Sequence, residues 1–265
     1  MPNDAAIGVF DSGVGGLTVA AAIRERLPNE ALLYLGDTAR VPYGTKSPDI
    51  VRRYAINCGR FLTDQGAKIL VIACNTASAY AIEALRRELD TPVVGVVEPG
   101  ARLAAEATSN GKIGVIGTEG TIASGSYQRA LQRFAPDATV HTAACPLFVP
   151  FAEEGMVDHL ATRLVAEEYL RPLVDQGIDT IVLGCTHYPL LRPLIAEIVG
   201  TAVRVIDSAT AVAEAVGATL ADHDLVTSAR SGPDRFFATD VSSRVERVGA
   251  AFLGAGLGQV TRVDL

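Results

Sequence analysis

Long apolar runs are missing from this 265-residue chain. Hydrophobic residues make up 49% of it but come in short runs such as Ile69-Leu-Val-Ile72. None approaches the ~18 apolar residues of a membrane-spanning helix. The first residues, Met1-Pro-Asn-Asp4, hold neither a basic segment nor a long apolar core, so no secretory leader is expected. Charged residues are only 20% of the chain, and low charge with this much hydrophobic content excludes intrinsic disorder. A cytoplasmic, soluble protein with no membrane association is the expectation.

Positive charge is also short. The 23 basic residues are outnumbered by 30 acidic ones, for a net charge of −7. That argues against a nucleic-acid surface, which is usually basic, yet leaves room for a small anionic ligand that needs a few local donors. Lysine is nearly absent: Lys46, Lys68 and Lys112 are the three, none in a distinctive motif. A Schiff-base cofactor such as pyridoxal phosphate is therefore not expected. The four cysteines, Cys58, Cys74, Cys145 and Cys185, form no C-x-x-C pair, which removes a zinc ribbon or a dithiol redox motif. A cytosolic chain of this length needs no disulfide framework either, so each thiol is read on its own.

What is present is an alternation of strand and helix patterns. Ala6 to Phe10 reads as a strand, followed by the glycine-rich turn Asp11-Ser-Gly-Val-Gly-Gly16 and a helix from Leu17 to Leu27. Ala31 to Leu35 reads as a strand, Gly36 to Ser47 as a loop, Pro48 to Gln65 as a helix. Lys68 to Ala73 is a strand, Ser78 to Glu88 a helix, and Pro92 to Val97 a strand. Short apolar runs separated by helices predict a parallel sheet covered on both faces. The pattern then restarts. Lys112-Ile-Gly-Val-Ile-Gly117 echoes Ala6-Ile-Gly-Val-Phe-Asp11, Ile181-Val-Leu-Gly-Cys-Thr-His187 echoes Val71-Ile-Ala-Cys-Asn-Thr76, and Ala202 to Ile206 answers Pro92 to Val97. The predicted fold class is α/β, with two similar lobes, each a mainly parallel sheet flanked by helices, related by a pseudo-twofold. The tail reads as a helix (Ala209 to Ala221), an edge strand (Phe236 to Thr239) and a helix (Ser242 to Leu253) that pack back on the first lobe. The expected domains are residues 1–97 with 208–265, and residues 98–207.

In such sheets ligands bind at the carboxyl ends of the strands. Cys74 and Cys185 both fall there, each expected just before a helix, where unpaired N–H groups and the helix dipole favour a thiolate. Two thiols on opposite sides of one pocket suit inversion of a C–H stereocentre, one removing the proton and the other replacing it. The bland alternative is that each is a small buried hydrophobe, and that reading is kept for Cys58 and Cys145. Asp11 can accept from an ammonium group and Ser12 can donate to a carboxylate, although the pair could equally cap the next helix. Asn75, Thr76, Thr186 and His187 offer further donors and acceptors, with helix capping the alternative for His187. Backbone N–H groups at Tyr43 and Gly44 suit a carboxylate. Gly13, Gly15 and Gly16 fit neither G-x-G-x-x-G nor a P-loop and read as a tight turn. His141, His159 and His223 have no partner motif.

These runs together resemble the glutamate racemase family of cofactor-independent enzymes. The resemblance is carried by Gly8-Val-Phe-Asp-Ser-Gly-Val-Gly-Gly-Leu17, Tyr34-Leu-Gly-Asp-Thr-Ala-Arg-Val-Pro-Tyr-Gly44, Ala73-Cys-Asn-Thr-Ala77 and Val96-Val-Glu-Pro99. It continues through Gly114-Val-Ile-Gly-Thr118, Cys145-Pro-Leu-Phe-Val-Pro150 with Glu153-Glu-Gly155, and Leu183-Gly-Cys-Thr-His-Tyr-Pro-Leu190. It weakens after Ala221. The resemblance implies interconversion of L- and D-glutamate for peptidoglycan, without cofactor or metal, at a site between two lobes. It implies Cys74 and Cys185 as the acid/base thiols, acting on the D- and L-enantiomer respectively, with Asp11, His187 and Glu153 as candidates to assist them. It implies Asp11, Ser12, Tyr43, Gly44, Asn75, Thr76, Thr186 and His187 as the glutamate-binding set, and often a homodimer. The resemblance also allows, for some members, a regulatory contact with a protein such as DNA gyrase; nothing in these residues shows it. A sister racemase acting on aspartate or another amino acid, with the same thiols and a different side-chain pocket, and a non-catalytic two-lobed amino-acid-binding protein are the competing readings.

Overall fold

The computed structural model describes residues 4–230, 232–253 and 259–265. The leader reading on Met1-Pro-Asn-Asp4 falls mostly outside them. Backbone contacts divide the chain into two compact units, Met1–Val96 with Ala209–Leu265, and Val97–Ser208.

The strands of the first unit are β1 (Ile7–Asp11), β2 (Leu32–Gly36), β3 (Ile69–Ile72) and β4 (Val93–Gly95). Those of the second are β5 (Lys112–Gly117), β6 (Thr139–Ala144), β7 (Thr180–Gly184) and β8 (Arg204–Ile206). The tail supplies β9 (Arg235–Ala238) and β10 (Val260–Arg262). The first sheet runs β10-β9-β2-β1-β3-β4 and the second β6-β5-β7-β8. Every pairing is parallel. The order β2-β1-β3-β4 is thus repeated as β6-β5-β7-β8, the topological counterpart of the echo between Ile7–Cys74 and Ile113–Cys185.

The central strands β1, β3 and β7 bury every residue, as expected where helices cover both faces of a parallel sheet. In the first unit, Phe10, Leu35, Leu70 and Ile72 pack against Val51, Ala55 and Leu62 of helix Pro48–Asp64 and Ala77, Ala81 and Leu85 of helix Asn75–Glu88. Helix Leu17–Arg26 packs against helix Ala209–Asp222 of the tail. In the second unit the period of two is plain. Ile116, Ile181 and Leu183 join helices Leu160–Val174 and Arg192–Val199 in one core, while Ile113, Val115 and Val182 join helices Val97–Ala107 and Ser126–Phe134 in another. Among the described residues no helix is long and apolar enough to cross a membrane.

Four local readings change. Helix Asn75–Glu88 starts three residues before Ser78 because Cys74 itself caps it. The run Pro92 to Val97 is strand only over Val93–Gly95, and Val97 already opens a helix. The strand expected at an edge, β9, lies inside the sheet between β2 and β10. Strand β6 had no recognisable pattern, because Thr139-Val-His-Thr-Ala-Ala144 is a half-exposed edge strand. The expected final helix is present as Ser243–Leu253.

One buried ion pair ties the tail to the first sheet. Lys68 and Glu30 are almost wholly buried and meet at 2.6 Å, and Glu30 also accepts from the Thr227 N–H at 3.0 Å. Breaking such a pair leaves a bare buried charge, at a cost of about 3–5 kcal/mol. Lys68→Met is expected to lower the unfolding free energy by that order in urea titrations. Lys68→Met with Glu30→Gln should recover part of the loss, and equal losses in both would contradict the pairing.

Candidate active site

The first unit gathers its polar residues where its strands end. Asp11 closes β1 and is fully buried. Its Oδ2 accepts from the N–H groups of Gly13 and Gly16, both at 3.1 Å, so the side chain ties the glycine turn together. Its Oδ1 is buried with no hydrogen-bond partner, which leaves one acceptor for a ligand or a proton. The glycines belong to this approach. A Cβ on Gly16 would sit 2.6 Å from the Asp11 Cβ, and one on Gly36 would sit 2.5 Å from the Gly13 carbonyl oxygen. Real side chains do not tolerate such distances, so the turn is tight as read. Asp11 does not cap the following helix by its side chain, since the helix begins at Leu17 after Gly16 with no side-chain cap bond.

Cys74 follows β3 and is the N-cap of helix Asn75–Glu88, with its sulfur accepting from the Ala77 N–H at 3.5 Å. A sulfur held at a helix N-terminus gains from the unpaired N–H groups and the dipole. The thiol also reaches the Ser12 hydroxyl at 3.5 Å. Asn75 and Thr76 are buried in the first helical turn. Beneath lies Tyr34, whose hydroxyl donates to the Gly13 carbonyl at 3.3 Å. Burial first, then the charges of Asp11 and Cys74, push that phenol well above its usual pKa, so it stays a donor. Tyr43 and Gly44 form a buried 3-10 turn over Tyr43–Thr45. The Tyr43 hydroxyl is already engaged with the Asp37 carboxylate, which leaves the backbone of this turn for a ligand.

The second unit builds a different environment around Cys185. It follows β7, but a 3-10 turn, Tyr188–Leu191, separates it from helix Arg192–Val199. The expected helix N-terminus at this thiol is therefore absent; Pro189 and Pro193 fit a 3-10 turn leading into a late helix start. An imidazole stands nearby instead. His187 Nδ1 lies 3.9 Å from the Cys185 sulfur, and His187 Nε2 lies 3.1 Å from Glu153 Oε1. His187 makes no side-chain cap bond to the 3-10 turn. Thr186 is buried between the two.

Glu153 ends helix Phe148–Glu153, and Tyr188, to which the sequence reading gave no role, packs on that helix. Tyr188 donates its hydroxyl to the Cys145 carbonyl at 2.8 Å and meets the Phe148 ring edge-on at 5.2 Å. Cys145 thus anchors backbone. Its thiol points at the Ala143 carbonyl, 3.7 Å away, and burial and then the Cys185 charge raise its pKa above the thiol range. Cys58 is likewise pushed up by burial and then by Asp37. His159 caps helix Leu160–Val174 by accepting from the Ala161 N–H at 3.1 Å. Among the described residues no three His, Cys, Asp or Glu side chains are grouped to hold a metal ion.

Comparison with known proteins identifies the family. The family model for Asp/Glu/hydantoin racemases matches residues 17–216. A glutamate racemase from Geobacter metallireducens is 52% identical over 261 residues, covering 98% of this chain and 97% of the relative. Among solved structures, a glutamate racemase isoform from Bacillus anthracis superposes with a TM-score of 0.94 at 41% identity, covering 99% of this chain and 98% of that one. A glutamate racemase from Francisella tularensis, in complex with D-glutamate, superposes with a TM-score of 0.93 at 36% identity over 99% and 98% of the two chains. The chain belongs to the Asp/Glu/hydantoin racemase family, and within it groups with the glutamate racemases. It is an enzyme of the isomerase class, a racemase.

The four thiols should differ sharply in reactivity, because the thiolate is the nucleophile. Iodoacetamide at pH 8 is expected to label Cys74 and Cys185 at least about tenfold faster than Cys58 and Cys145 in the native protein. All four should react alike in guanidinium. Peptide mapping reads the result, and native labelling of Cys58 or Cys145 at the rate of Cys74 would contradict the assignment.

Proposed function

We propose that the chain is a cytoplasmic glutamate racemase that inverts the α-carbon with two thiols and supplies D-glutamate for peptidoglycan. The observation that carries this reading is the pair Cys74 and Cys185. They sit at equivalent points after β3 and β7 of two sheets with the same strand order, each with its own proton-handling neighbours. Complexes of related racemases with D-glutamate and with L-glutamate support the substrate.

Racemisation needs one base and one acid on opposite faces of the α-carbon. From L-glutamate, the Cys185 thiolate takes the α-proton. The C–H bond breaks, an S–H bond forms, and the electron pair passes into the α-carboxylate. The Cys74 thiol then gives its proton to the other face, leaving a thiolate. From D-glutamate the roles exchange. A free thiol of pKa about 8.5 is a few per cent ionised near neutral pH, so each thiol needs help. His187, backed by Glu153, takes the Cys185 proton and holds it as imidazolium. Asp11, with its unpartnered Oδ1, and the capping N–H of the helix after Cys74 serve the other side.

General base catalysis contributes about 10²–10⁴-fold, too little for a weakly acidic α-proton. Fixed donors on the α-carboxylate must carry the rest, and Ser12, Asn75, Thr76 and Thr186 are the buried donors for it. Asp11 also accepts from the substrate ammonium group. The Tyr43–Gly44 turn takes the side-chain carboxylate with its backbone N–H groups, the feature that favours glutamate over aspartate.

Purified protein is expected to erase the circular dichroism of D-glutamate without added cofactor. Cys74→Ser and Cys185→Ser should each lose at least about 10³-fold in kcat, since a serine hydroxyl is a far weaker acid than a thiol. Turnover of aspartate but not glutamate would overturn the substrate. Near-normal activity in either variant would overturn the two-thiol mechanism. His187→Asn is expected to slow turnover from the L-enantiomer, with Glu153→Gln a milder loss of the same kind. Equal rates with wild type in steady-state assays would remove the imidazole from the mechanism.

A further inference from the structure

Asp37 lies in the Tyr34–Gly44 run but was given no role there, and it is the hub of a buried network. Its carboxylate is fully buried and accepts from three side chains. They are the Tyr43 hydroxyl, Arg40 Nε at 2.8 Å and the Thr239 hydroxyl at 2.9 Å. Its own N–H donates to the Asp11 carbonyl at 2.9 Å. Arg40 lies over the Tyr54 ring, 4.5 Å from its centroid, and Tyr54 packs on Tyr43. One carboxylate thus fixes the loop from Asp37 to Gly44 from several directions.

Thr239 comes from the far end of the chain. It follows β9, whose register against β2 sets Ala238 opposite Gly36, and its N–H donates to the Gly36 carbonyl at 3.1 Å. Its hydroxyl has two roles. It accepts from the Ala39 N–H at 2.9 Å while donating to Asp37. A second clasp lies beside it, where the Thr38 hydroxyl donates to the Asp240 carbonyl at 2.6 Å and accepts from the Asp240 N–H at 2.8 Å. Sheet pairing therefore brings the tail directly onto the loop that presents Tyr43 and Gly44.

We infer that Thr239 is a positioning residue for substrate binding, acting through the Asp37 carboxylate on the Tyr43–Gly44 turn. The inference rests on the reading of that turn as the seat of the substrate's side-chain carboxylate. That carboxylate is remote from the reacting carbon, so its contacts are the same in ground and transition states. Loosening them raises KM and leaves kcat. The Thr239–Asp37 bond is one step removed from the ligand, so only part of its worth reaches binding, an effect of roughly three- to tenfold.

The test is steady-state racemisation of D-glutamate by wild type, Thr239→Val, Thr239→Ser, Tyr43→Phe and the double variant Thr239→Val/Tyr43→Phe, with melting temperatures alongside. Valine keeps the shape and removes the hydroxyl; serine keeps the hydroxyl. Thr239→Val is expected to raise KM about three- to tenfold with kcat within about twofold, and Thr239→Ser to stay near wild type. The double variant should show less than the product of the two single effects, because both act through Asp37. An unchanged KM in Thr239→Val overturns the inference. So does a fall in kcat that tracks the melting temperature, or a Thr239→Ser variant as impaired as the valine. Failure of wild type to turn over glutamate overturns the functional reading itself, and the inference with it.

Discussion

The register of β1 against its two neighbours is the constraint on which the polar cluster of the first unit depends. Asp11 lies opposite Gly36, and Phe10 opposite Ile72, so three parallel strands end nearly in step. The chain leaving each strand then delivers a polar residue to the same edge: Asp11 and Ser12 after β1, the Asp37–Gly44 loop after β2, Cys74 after β3. A slip of one residue would turn every side chain of β1 to the opposite face. The buried pattern on both faces makes that slip costly, and Gly16 and Gly36 let the loops approach without steric conflict. The second sheet repeats the device, with Gly117 opposite Gly184 and Cys185 one residue beyond.

The two halves are alike in topology and unlike in chemistry. Cys74 sits on a helix N-terminus beside a serine and near a buried carboxylate. Cys185 has lost the helix start to a 3-10 turn and has an imidazole–carboxylate pair in its place. In the proposed mechanism the first thiol is served by a helix N-terminus and the second by a neighbouring imidazole. An enzyme that must run one reaction in both directions does not need identical bases. It needs two whose proton affinities are close, and different neighbours can reach that by different routes.

Much of this was legible in the chain. The apolar runs of β1, β3, β5 and β7 are short, bounded and rich in β-branched residues, and that of β2 is short and bounded, so their strand character is local information. The repeat of Ile-Gly-Val and of a cysteine after a third strand carried the pairing of Cys74 with Cys185. What was not legible depends on long-range contacts. Strand β6 has no alternation because it is a half-exposed edge. The place of β9 inside the sheet is set by β10, across a span with no motif. Asp37 and Thr239 are 202 positions apart, and nothing near either one announces the other. The imidazole at Cys185 was visible as Thr-His, but its carboxylate partner came through a resemblance, since Glu153 is brought to it by long-range packing that includes Tyr188 and Tyr169 against Phe148.

The central claim is that two separate thiols handle the proton, one on each side of the α-carbon. The most direct measurement is the early time course of L-glutamate with the enzyme in D₂O, with each enantiomer separated and its α-deuterium counted by mass spectrometry. A two-thiol mechanism predicts that the D-glutamate formed first carries solvent deuterium while the L-glutamate still present remains protiated, because the proton removed and the proton delivered sit on different sulfurs. Newly formed D-glutamate that retains the original α-proton would show one base carrying the same proton across, and would contradict the account.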